Sequence, residues 1–271
     1  MNIFKISRPR FWLYLAGPYL LGYFYGLYSL GVSWQFIYTF LYFLVPANIY
    51  LYGINDYFDR DTDFFNEKKT SKEHRLLFKE KKQLIIWLII SVLLLIPIFV
   101  WSSLTGSLIL LVWLVLSTMY SAPPRFKAIP FLDFLSNILY VLPGFYAYFE
   151  LTKQFPSLLV IIASFAWVWA MHIYSAVPDV EADKKAKLKT TALVLGQKMS
   201  LFLCVILWSV FSVIISIKAS PLGALTIVYP ILALYTLKNI NRINKVYWYF
   251  PYVTAFIGFL GFVHASLFFI L

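Results

Sequence analysis

The chain has 271 residues, of which 61% are hydrophobic and only 13% are charged. Soluble domains carry about 25% charged residues, so this composition excludes an ordinary water-soluble protein and predicts an all-α integral membrane protein. The net charge of +11 is explained by basic loops that attract anionic membrane lipid, and we therefore do not expect nucleic-acid binding.

Uncharged stretches between charged segments predict nine membrane-spanning helices. In chain order they cover roughly residues 11–30, 34–54, 84–101, 104–120, 131–149, 156–177, 200–217, 221–237 and 247–270. No linker is long enough to separate modules. We therefore expect one polytopic domain over residues 1–271, with its nine helices around a central cavity.

Basic residues are divided very unevenly between the two sides of this predicted topology. Of 23 Lys and Arg residues, 21 fall on the side of the N-terminus, and only Lys153 and Lys218 fall on the other. By the positive-inside rule, the N-terminus and the loops on its side lie in the cytoplasm. We thus predict a multi-pass protein of the cell membrane whose basic first segment leads directly into a span.

The first acidic segment follows the second predicted span. On a helix that advances about 100° per residue, Asn55, Asp56, Asp59 and Asp63 fall within one arc of about 100°. Asp61 points to the opposite side. The spacing therefore predicts one helical face that is rich in carboxylate and amide oxygens.

The second acidic segment follows the sixth predicted span. Asp179 and Asp183 are i,i+4 neighbours on one helical face, whereas Glu181 lies on the opposite side. A weak internal repeat at an offset of 124 residues aligns Asn55 with Asp179 and Asp59 with Asp183. A parallel duplication would place the two acidic faces across one central cavity.

The chemistry of these faces favours a hard divalent cation. Carboxylate and amide oxygens without neighbouring His or Cys suit Mg²⁺, with Mn²⁺ as a possible substitute. Two such faces predict Mg²⁺ ions that bridge to a diphosphate. Basic residues nearby are candidates to bind the phosphate oxygens, although any single one could be an ordinary solvated charge. They are Lys68, Lys69, Arg75, Arg125, Lys127, Lys184, Lys187 and Lys189.

Aromatic residues make up 20% of the chain, and ring faces in a dry cavity can stabilise a carbocation by roughly 2 kcal/mol each. Tyrosines near the cytoplasmic helix ends are the candidates for this role, and we include Tyr120 among the catalytic residues. The full set is Tyr50, Tyr52, Tyr57, Tyr120 and Tyr174.

Three polar residues inside predicted spans are further candidates for the site. Asp133 and Asn137 form an i,i+4 pair at the start of the fifth span, and they either bind substrate or cap a helix N-terminus. His172 lies one to two turns before Asp179. It is a candidate proton acceptor or water-orienting group, and the alternative is a hydrogen bond that joins two helices.

The acidic segments carry a recognisable pair of motifs. Residues 55–63 read N-D-x-x-D-x-x-x-D, and residues 179–183 read D-x-x-x-D. Together with nine spans, these motifs resemble the UbiA-type intramembrane prenyltransferases over the whole chain. The stretches 8–12, 120–127 and 172–179 resemble most closely the lycopene elongases of the C50 carotenoid branch.

This resemblance implies a Mg²⁺-dependent loss of diphosphate from an allylic donor, dimethylallyl diphosphate in the first instance. A lipophilic acceptor in the membrane, such as lycopene, then attacks the allyl cation, and water or proton loss quenches the product cation. The resemblance implies that Asn55, Asp56, Asp59 and Asp63 hold one Mg²⁺ and that Asp179 and Asp183 hold the other.

Other acceptors and other classes of protein remain as alternatives. Quinone-pathway relatives that use hydroxybenzoate follow the loop tyrosine with a lysine-arginine pair, whereas Pro124 stands before Arg125 here. This departure argues against an anionic aromatic acceptor, although an aromatic quinone precursor or another lipid remains the alternative substrate. A transporter would also carry repeats and polar residues in its spans. No obligate protein partner is evident.

Overall fold

The computed structural model describes residues 2–27, 31–59, 76–186, 188–219 and 221–267. Within these ranges every regular element is a helix, which confirms the all-α class. The α-helices in chain order are α1 (Ile3–Ile6), α2 (Leu13–Gly26), α3 (Trp34–Leu44), α4 (Pro46–Asp59), α5 (Lys81–Leu93), α6 (Ile96–Trp101), α7 (Leu104–Met119), α8 (Leu132–Leu135), α9 (Leu142–Thr152), α10 (Leu158–Ala176), α11 (Val180–Lys185), α12 (Thr191–Lys218), α13 (Val228–Lys238) and α14 (Ile243–Leu267). Short 3₁₀ helices cover Pro9–Phe11, Phe78–Glu80, Phe126–Ala128, Ser136–Tyr140, Val177–Asp179, Leu222–Ile227 and Ile240–Arg242.

Helix length distinguishes clear membrane spans from shorter apolar helices. Segments long and apolar enough to cross a bilayer are Trp34–Asp59, Phe78–Trp101, Leu158–Lys185, Thr191–Lys218 and Ile240–Ser266. Helices α2 and α9 lie in the first and fifth predicted spans but have only 14 and 11 residues. The protein is therefore a multi-pass membrane protein, while the count of nine spans stays a prediction.

The fifth predicted span, residues 131–149, is not one continuous helix. It consists of α8, the 3₁₀ helix Ser136–Tyr140 and α9. The chain forms two compact units. The first comprises Met1–Phe126 with Leu142–Lys153, and the second comprises Lys127–Val141 with Gln154–Leu271. Helix α9 therefore belongs to the first unit, whereas α8 and the 3₁₀ helix belong to the second. The predicted single domain and central cavity concern both units and stay predictions.

The first unit is built around an aromatic core. Trp113 of α7 is fully buried, and its ring lies 5.6 Å from Phe43, 6.2 Å from Tyr42 and 6.2 Å from Tyr50 between centroids. Rings at these distances pack edge-on or tilted, which stabilises contacts between helices beyond the area that they bury. The core thus fixes α7 against α3 and α4.

Helices α2 and α9 approach each other at backbone distance. A Cβ atom added to Gly22 would lie 2.0 Å from the carbonyl oxygen of Gly144, and one added to Gly144 would lie 2.6 Å from the carbonyl oxygen of Pro18. Small residues allow such close packing between helices in membranes, where van der Waals contact replaces the hydrophobic effect as the driving force. Glycine is therefore required at this crossing.

A carboxylate joins two helices at another point of the first unit. The Oε1 atom of Glu150 accepts hydrogen bonds from the backbone N–H and the hydroxyl of Ser103, at 2.9 and 2.7 Å. Ser103 is the N-cap of α7, and its Oγ accepts from the N–H of Gly106. The negative charge thus lies at the positive end of the helix dipole of α7.

The second unit has its own aromatic core. Tyr174, Trp208, Tyr229 and Phe250 are each 0–1% exposed, and they come from α10, α12, α13 and α14 in that order. The Trp208 ring lies 5.3 Å from Tyr174, 5.5 Å from Tyr229 and 5.0 Å from Phe250. One indole therefore contacts three neighbouring helices.

Candidate active site

The first acidic motif lies at the C-terminal end of α4. Asp56 and Asp59 are 1% and 3% exposed, and the helix continues through Asp59, so the predicted helical spacing applies from Asn55 to Asp59. The Nδ2 atom of Asn55 donates to the hydroxyl of Ser121 at 3.2 Å. This hydrogen bond ties the end of α4 to the loop that follows α7.

Asp56 forms an ion pair with a residue that precedes the first span. The Nη2 atom of Arg8 donates to Oδ1 of Asp56 at 2.9 Å, and the guanidinium carbon lies 4.5 Å from the centroid of the Tyr52 ring. Arg8 has a left-handed backbone with φ of 50°. The carboxylate is thus held by a side chain that itself stacks on an aromatic ring.

Asp59 forms the equivalent pair with a residue of the loop after α7. The Nη2 atom of Arg125 donates to Oδ1 of Asp59 at 3.0 Å, and Arg125 also has a left-handed backbone, with φ of 62°. The sequence predicted Arg125 as a phosphate ligand. The structure pairs it with a carboxylate of the first motif, and its role as a phosphate ligand stays a prediction.

The candidate tyrosines have different surroundings. The hydroxyl of Tyr50 is 2.7 Å from the hydroxyl of Thr118, and the Tyr57 ring lies 4.8 Å from the Nζ atom of Lys81. Tyr52 and Tyr57 therefore already face protein cations, whereas Tyr120 ends α7 as its C-cap. Tyr174 belongs to the aromatic core of the second unit, where packing is sufficient to explain it.

The second acidic motif begins in the 3₁₀ helix Val177–Asp179 and continues into α11. The hydroxyl of Thr190 donates to Oδ2 of Asp183 at 3.1 Å, and Asp179 is half-buried. Glu181 is exposed, which fits a side chain that points away from the acidic face. Thr190 is also the N-cap of α12, so the motif is attached to the start of that helix.

Asp133 caps a helix other than its own. It is almost fully buried, and its Oδ2 accepts from the backbone N–H of Thr191 at 2.7 Å, while Oδ1 accepts from the N–H of Phe134 at 2.9 Å. The hydroxyl of Thr191 also donates to Asp133. Asn137 donates to the backbone carbonyl of Asp133. Both residues therefore make hydrogen bonds within the protein, and Asp133 caps the N-terminus of α12. Their role in substrate binding stays a prediction.

The remaining candidates are less well defined by their contacts. His172 lies on α10, where its carbonyl accepts from the hydroxyl of Ser175 at 2.7 Å, and it is within electrostatic reach of Asp133. Lys127 lies in the 3₁₀ helix Phe126–Ala128. Several predicted residues lie outside the described part of the chain: Asp61, Asp63, Lys68, Lys69, Arg75 and Lys187.

The donor set of the first motif suits Mg²⁺. Among the described residues, no three His, Cys, Asp or Glu side chains are grouped closely enough to hold a metal alone. Mg²⁺ needs no such cage, because it keeps water ligands and takes others from substrate phosphate. Buried Asp56 and Asp59 next to Asn55 provide the hard oxygen atoms that this mode of binding requires.

Sequence reasoning did not identify Arg8, Thr190 or Thr191 as parts of these sites. Arg8 lies in a basic segment that the positive-inside rule already explains, so nothing in the pattern separated it from Arg10. Thr190 immediately precedes α12 and Thr191 is its first residue. A threonine before an apolar run predicts a helix cap. That signal was present, but the partner carboxylates were not predictable from it.

An apolar helix that ends in buried hard-oxygen groups is the arrangement expected of an intramembrane enzyme that uses a divalent cation. The UbiA prenyltransferase family model matches residues 15–269, and the chain therefore belongs to the UbiA prenyltransferase family. It is a prenyltransferase, and the transporter hypothesis is not retained.

Individual relatives match over most of their length. The lycopene elongase/hydratase of Halobacterium salinarum is 43% identical over 235 residues, which is 85% of this chain and 84% of the relative. The enzyme of the same name from Haloarcula japonica is 38% identical, over 84% of this chain and 78% of the relative. A UbiA homolog from Archaeoglobus fulgidus bound to GPP and Mg²⁺ superposes with a TM-score of 0.75 at 26% identity, covering 98% of this chain and 100% of the homolog.

Truncation of the Asp133 side chain is expected to destabilise the second unit. Asp133→Ala leaves the N–H of Thr191, its hydroxyl and the N–H of Phe134 without their buried acceptor, and we expect a loss of about 2–3 kcal/mol in the free energy of unfolding. Thermal unfolding of the purified protein in detergent micelles measures this. Asn137→Ala removes a single hydrogen bond and is the milder control. Unchanged unfolding of Asp133→Ala together with lost turnover would instead assign Asp133 to substrate binding.

Proposed function

We propose that the protein transfers the dimethylallyl group of dimethylallyl diphosphate to lycopene, or to a closely related carotenoid, within the membrane. The observation that carries the proposal is the buried carboxylate pair of Asp56 and Asp59 in a chain that is 43% identical to an enzyme named lycopene elongase/hydratase. The pair supplies ligands for activating a diphosphate. The name of the relative indicates a carotenoid as the acceptor.

Mg²⁺ is the proposed cofactor, and Mn²⁺ is expected to replace it. The first ion is assigned to Asn55, Asp56, Asp59 and Asp63, and the second to Asp179 and Asp183. A bound Mg²⁺ neutralises charge that develops on the departing diphosphate. The Archaeoglobus fulgidus homolog bound to GPP and Mg²⁺ supports Mg²⁺ as the cofactor.

The side chains of this protein have defined tasks in the proposed reaction. Before substrate binds, Arg8 and Arg125 fix the orientation of the two carboxylates that they contact, and Thr190 fixes Asp183. Lys68, Lys127 and Lys187 are proposed to bind phosphate oxygens. A dry, apolar membrane interior keeps water from the allyl cation.

The covalent steps follow from the charges. The allylic carbon–oxygen bond breaks, and its electron pair leaves with the diphosphate. The terminal double bond of lycopene then forms the new carbon–carbon bond to the allyl cation, which leaves a tertiary cation on the carotenoid. We propose that the Tyr120 ring stabilises the allyl cation and that His172 receives the proton or orients the water that quenches the product cation.

We propose that the protein lies in the cell membrane, with its N-terminus and both acidic motifs on the cytoplasmic side. The distribution of 21 of 23 basic residues to that side supports this orientation. Water-soluble allylic diphosphate would then reach the site from the cytoplasm, and the carotenoid would reach it from the lipid.

Product analysis in a lycopene-producing bacterium tests the proposed acceptor. Expression of the chain should convert lycopene into pigments heavier by one or two five-carbon units, read by mass and absorption, and Asp56→Asn should leave lycopene unchanged. Isolated membranes with labelled donor should label lycopene and ignore hydroxybenzoate, because no lysine-arginine pair follows the loop tyrosine. Label in the benzoate but not in lycopene would refute the carotenoid acceptor and leave prenyl transfer intact.

A further inference from the structure

Both described aspartates of the first motif are neutralised by arginines. Arg8 and Asp56 approach to 2.9 Å with side chains 14% and 2% exposed, and Arg125 and Asp59 approach to 3.0 Å with side chains 32% and 5% exposed. The arginines come from separate segments, one before α2 and one after α7. Two guanidinium groups thus occupy carboxylate oxygens that a metal ion would need.

Both arginines have an uncommon backbone conformation that the surrounding structure must hold in place. Arg8 and Arg125 have φ angles of 50° and 62°, and among the described residues only Phe131 and Lys153 share positive φ without being glycine. L-residues rarely adopt this conformation, and it persists where surrounding structure enforces it, often at functional sites. Half of these rare positions in the described chain therefore carry the arginines that pair with the first motif.

The charges have a consequence for metal binding. Two carboxylates and two guanidinium groups sum to zero, so a divalent cation that enters this group alone meets two positive charges and must displace them from buried oxygen atoms. Such displacement removes the carboxylate partner of each guanidinium group in a partly buried site, which is unfavourable. A diphosphate supplies new anionic oxygens to which guanidinium groups bind in bidentate geometry.

We propose that Arg8 and Arg125 are built-in counterions that compete with the metal for Asp56 and Asp59. The first motif then binds a divalent cation strongly only together with a diphosphate, which accepts the released guanidinium groups. The arginines act as positioning residues that make the two binding events cooperative. The diphosphate as second ligand rests on the proposed function, whereas the competition at the carboxylates rests on the ion pairs alone.

Mn²⁺ binding to the full-length protein in lipid nanodiscs tests this proposal. Electron paramagnetic resonance would measure free Mn²⁺ in an Asp179→Asn, Asp183→Asn background, so that the signal reports the first motif. We expect a non-hydrolysable dimethylallyl thiolodiphosphate to tighten Mn²⁺ binding at least tenfold in this background. Adding Arg8→Gln or Arg125→Gln should tighten binding of Mn²⁺ alone at least tenfold and reduce the gain from the analogue.

Matched variants separate competition from simple damage to the site. Arg8→Lys retains the positive charge and should stay close to the background protein, and Arg242→Gln removes an exposed arginine and should change nothing. Thermal unfolding identifies any variant that does not fold, and the two glutamine variants provide independent trials. The proposal fails if folded Arg8→Gln and Arg125→Gln bind Mn²⁺ alone no more tightly than the background does.

Failure of the counterion proposal can be distinguished from failure of the proposed function. Lycopene turnover together with arginine-independent Mn²⁺ binding would overturn the counterion role and leave the reaction standing. Arginine-dependent coupling without carotenoid products would support the counterion role and refute the acceptor.

Discussion

Asp56→Asn should lower prenyl transfer by about 10³-fold or more while the protein remains folded. The amide retains the volume of the buried side chain but loses the charge that binds the cation, and removal of one such stabilising group costs about 10²–10³ in rate even where a hydrogen bond alone is lost. Asp59→Asn, Asp179→Asn and Asp183→Asn should have similar effects. Transfer of the labelled dimethylallyl group from its diphosphate to lycopene measures activity. Size-exclusion chromatography verifies folding.

Glu181→Gln is the matched control for the second motif. Glu181 lies on α11 with Asp183 but is exposed, so its loss should change turnover less than about twofold, as is usual for exposed positions that do not contact substrate. Equal damage from Glu181→Gln and Asp183→Asn would show that the helical-face assignment is wrong.

Gly22→Val should largely prevent folding of the first unit. The added Cβ would overlap the backbone carbonyl of Gly144 in α9 at 2.0 Å, and a helix carbonyl cannot rotate away. Gly144 lies in the first turn of α9, and relief of this overlap would require the two helix backbones to move apart. We expect a loss of about 3 kcal/mol or more in the free energy of unfolding, at the upper end for overpacked sites. Folded yield and thermal unfolding in detergent report this effect.

Gly17→Ala provides the comparison within the same helix. Among the described residues, a Cβ at Gly17 would have no neighbour within 4 Å apart from its chain neighbours and its own helix backbone. Alanine favours a helix by about 1 kcal/mol over glycine, but the ring of Pro18 in α2 crowds a Cβ on the residue before it. The variant should therefore stay within about 1 kcal/mol of the parent protein. A similar loss for both variants would mean that α2 is sensitive to any side chain, and the close crossing would not be the cause.

The features that were predictable from the sequence are those that depend on the local pattern of residues. Periodicity placed Asp56 and Asp59 on one helical face, and hydropathy predicted helical membrane segments. A break between α3 and α4 at Val45 was not predicted, although Pro46 carries the signal, because proline disfavours helical backbone in the preceding residue. Hydropathy alone does not register such breaks.

Helix boundaries near charged residues were less accurate for a related reason. The seventh span was predicted from residue 200, since Lys198 interrupts the apolar run, yet α12 begins at Thr191. The cap at Thr190 sets the start of α12, whereas the non-helical φ of 77° at Gly196 kinks the helix shortly before the predicted boundary. A hydropathy window registers neither feature, and it places the boundary after the kink.

Tertiary partners were the part that sequence could not supply. Arg8 and Asp56 are separated by 48 residues, and Asp133 and Thr191 by 58. With 23 basic residues and many hydroxyl groups in the chain, spacing does not select one partner over another. The partners of Arg8 and Asp133 became apparent only from the interatomic distances in the structure.

The two carboxylates that cap helices also differ in when their partners are synthesised. Glu150 follows Ser103 by 47 residues, so its hydrogen-bond donors are already made when it leaves the ribosome. Asp133 precedes Thr191, and α9 and α10 are translated in between. Until Thr191 is made, the described donor to the Asp133 carboxylate that has already been synthesised is the N–H of Phe134, and a buried carboxylate with incomplete hydrogen bonds is costly. Synthesis of the start of α12 therefore completes the hydrogen bonds of Asp133 in the second unit.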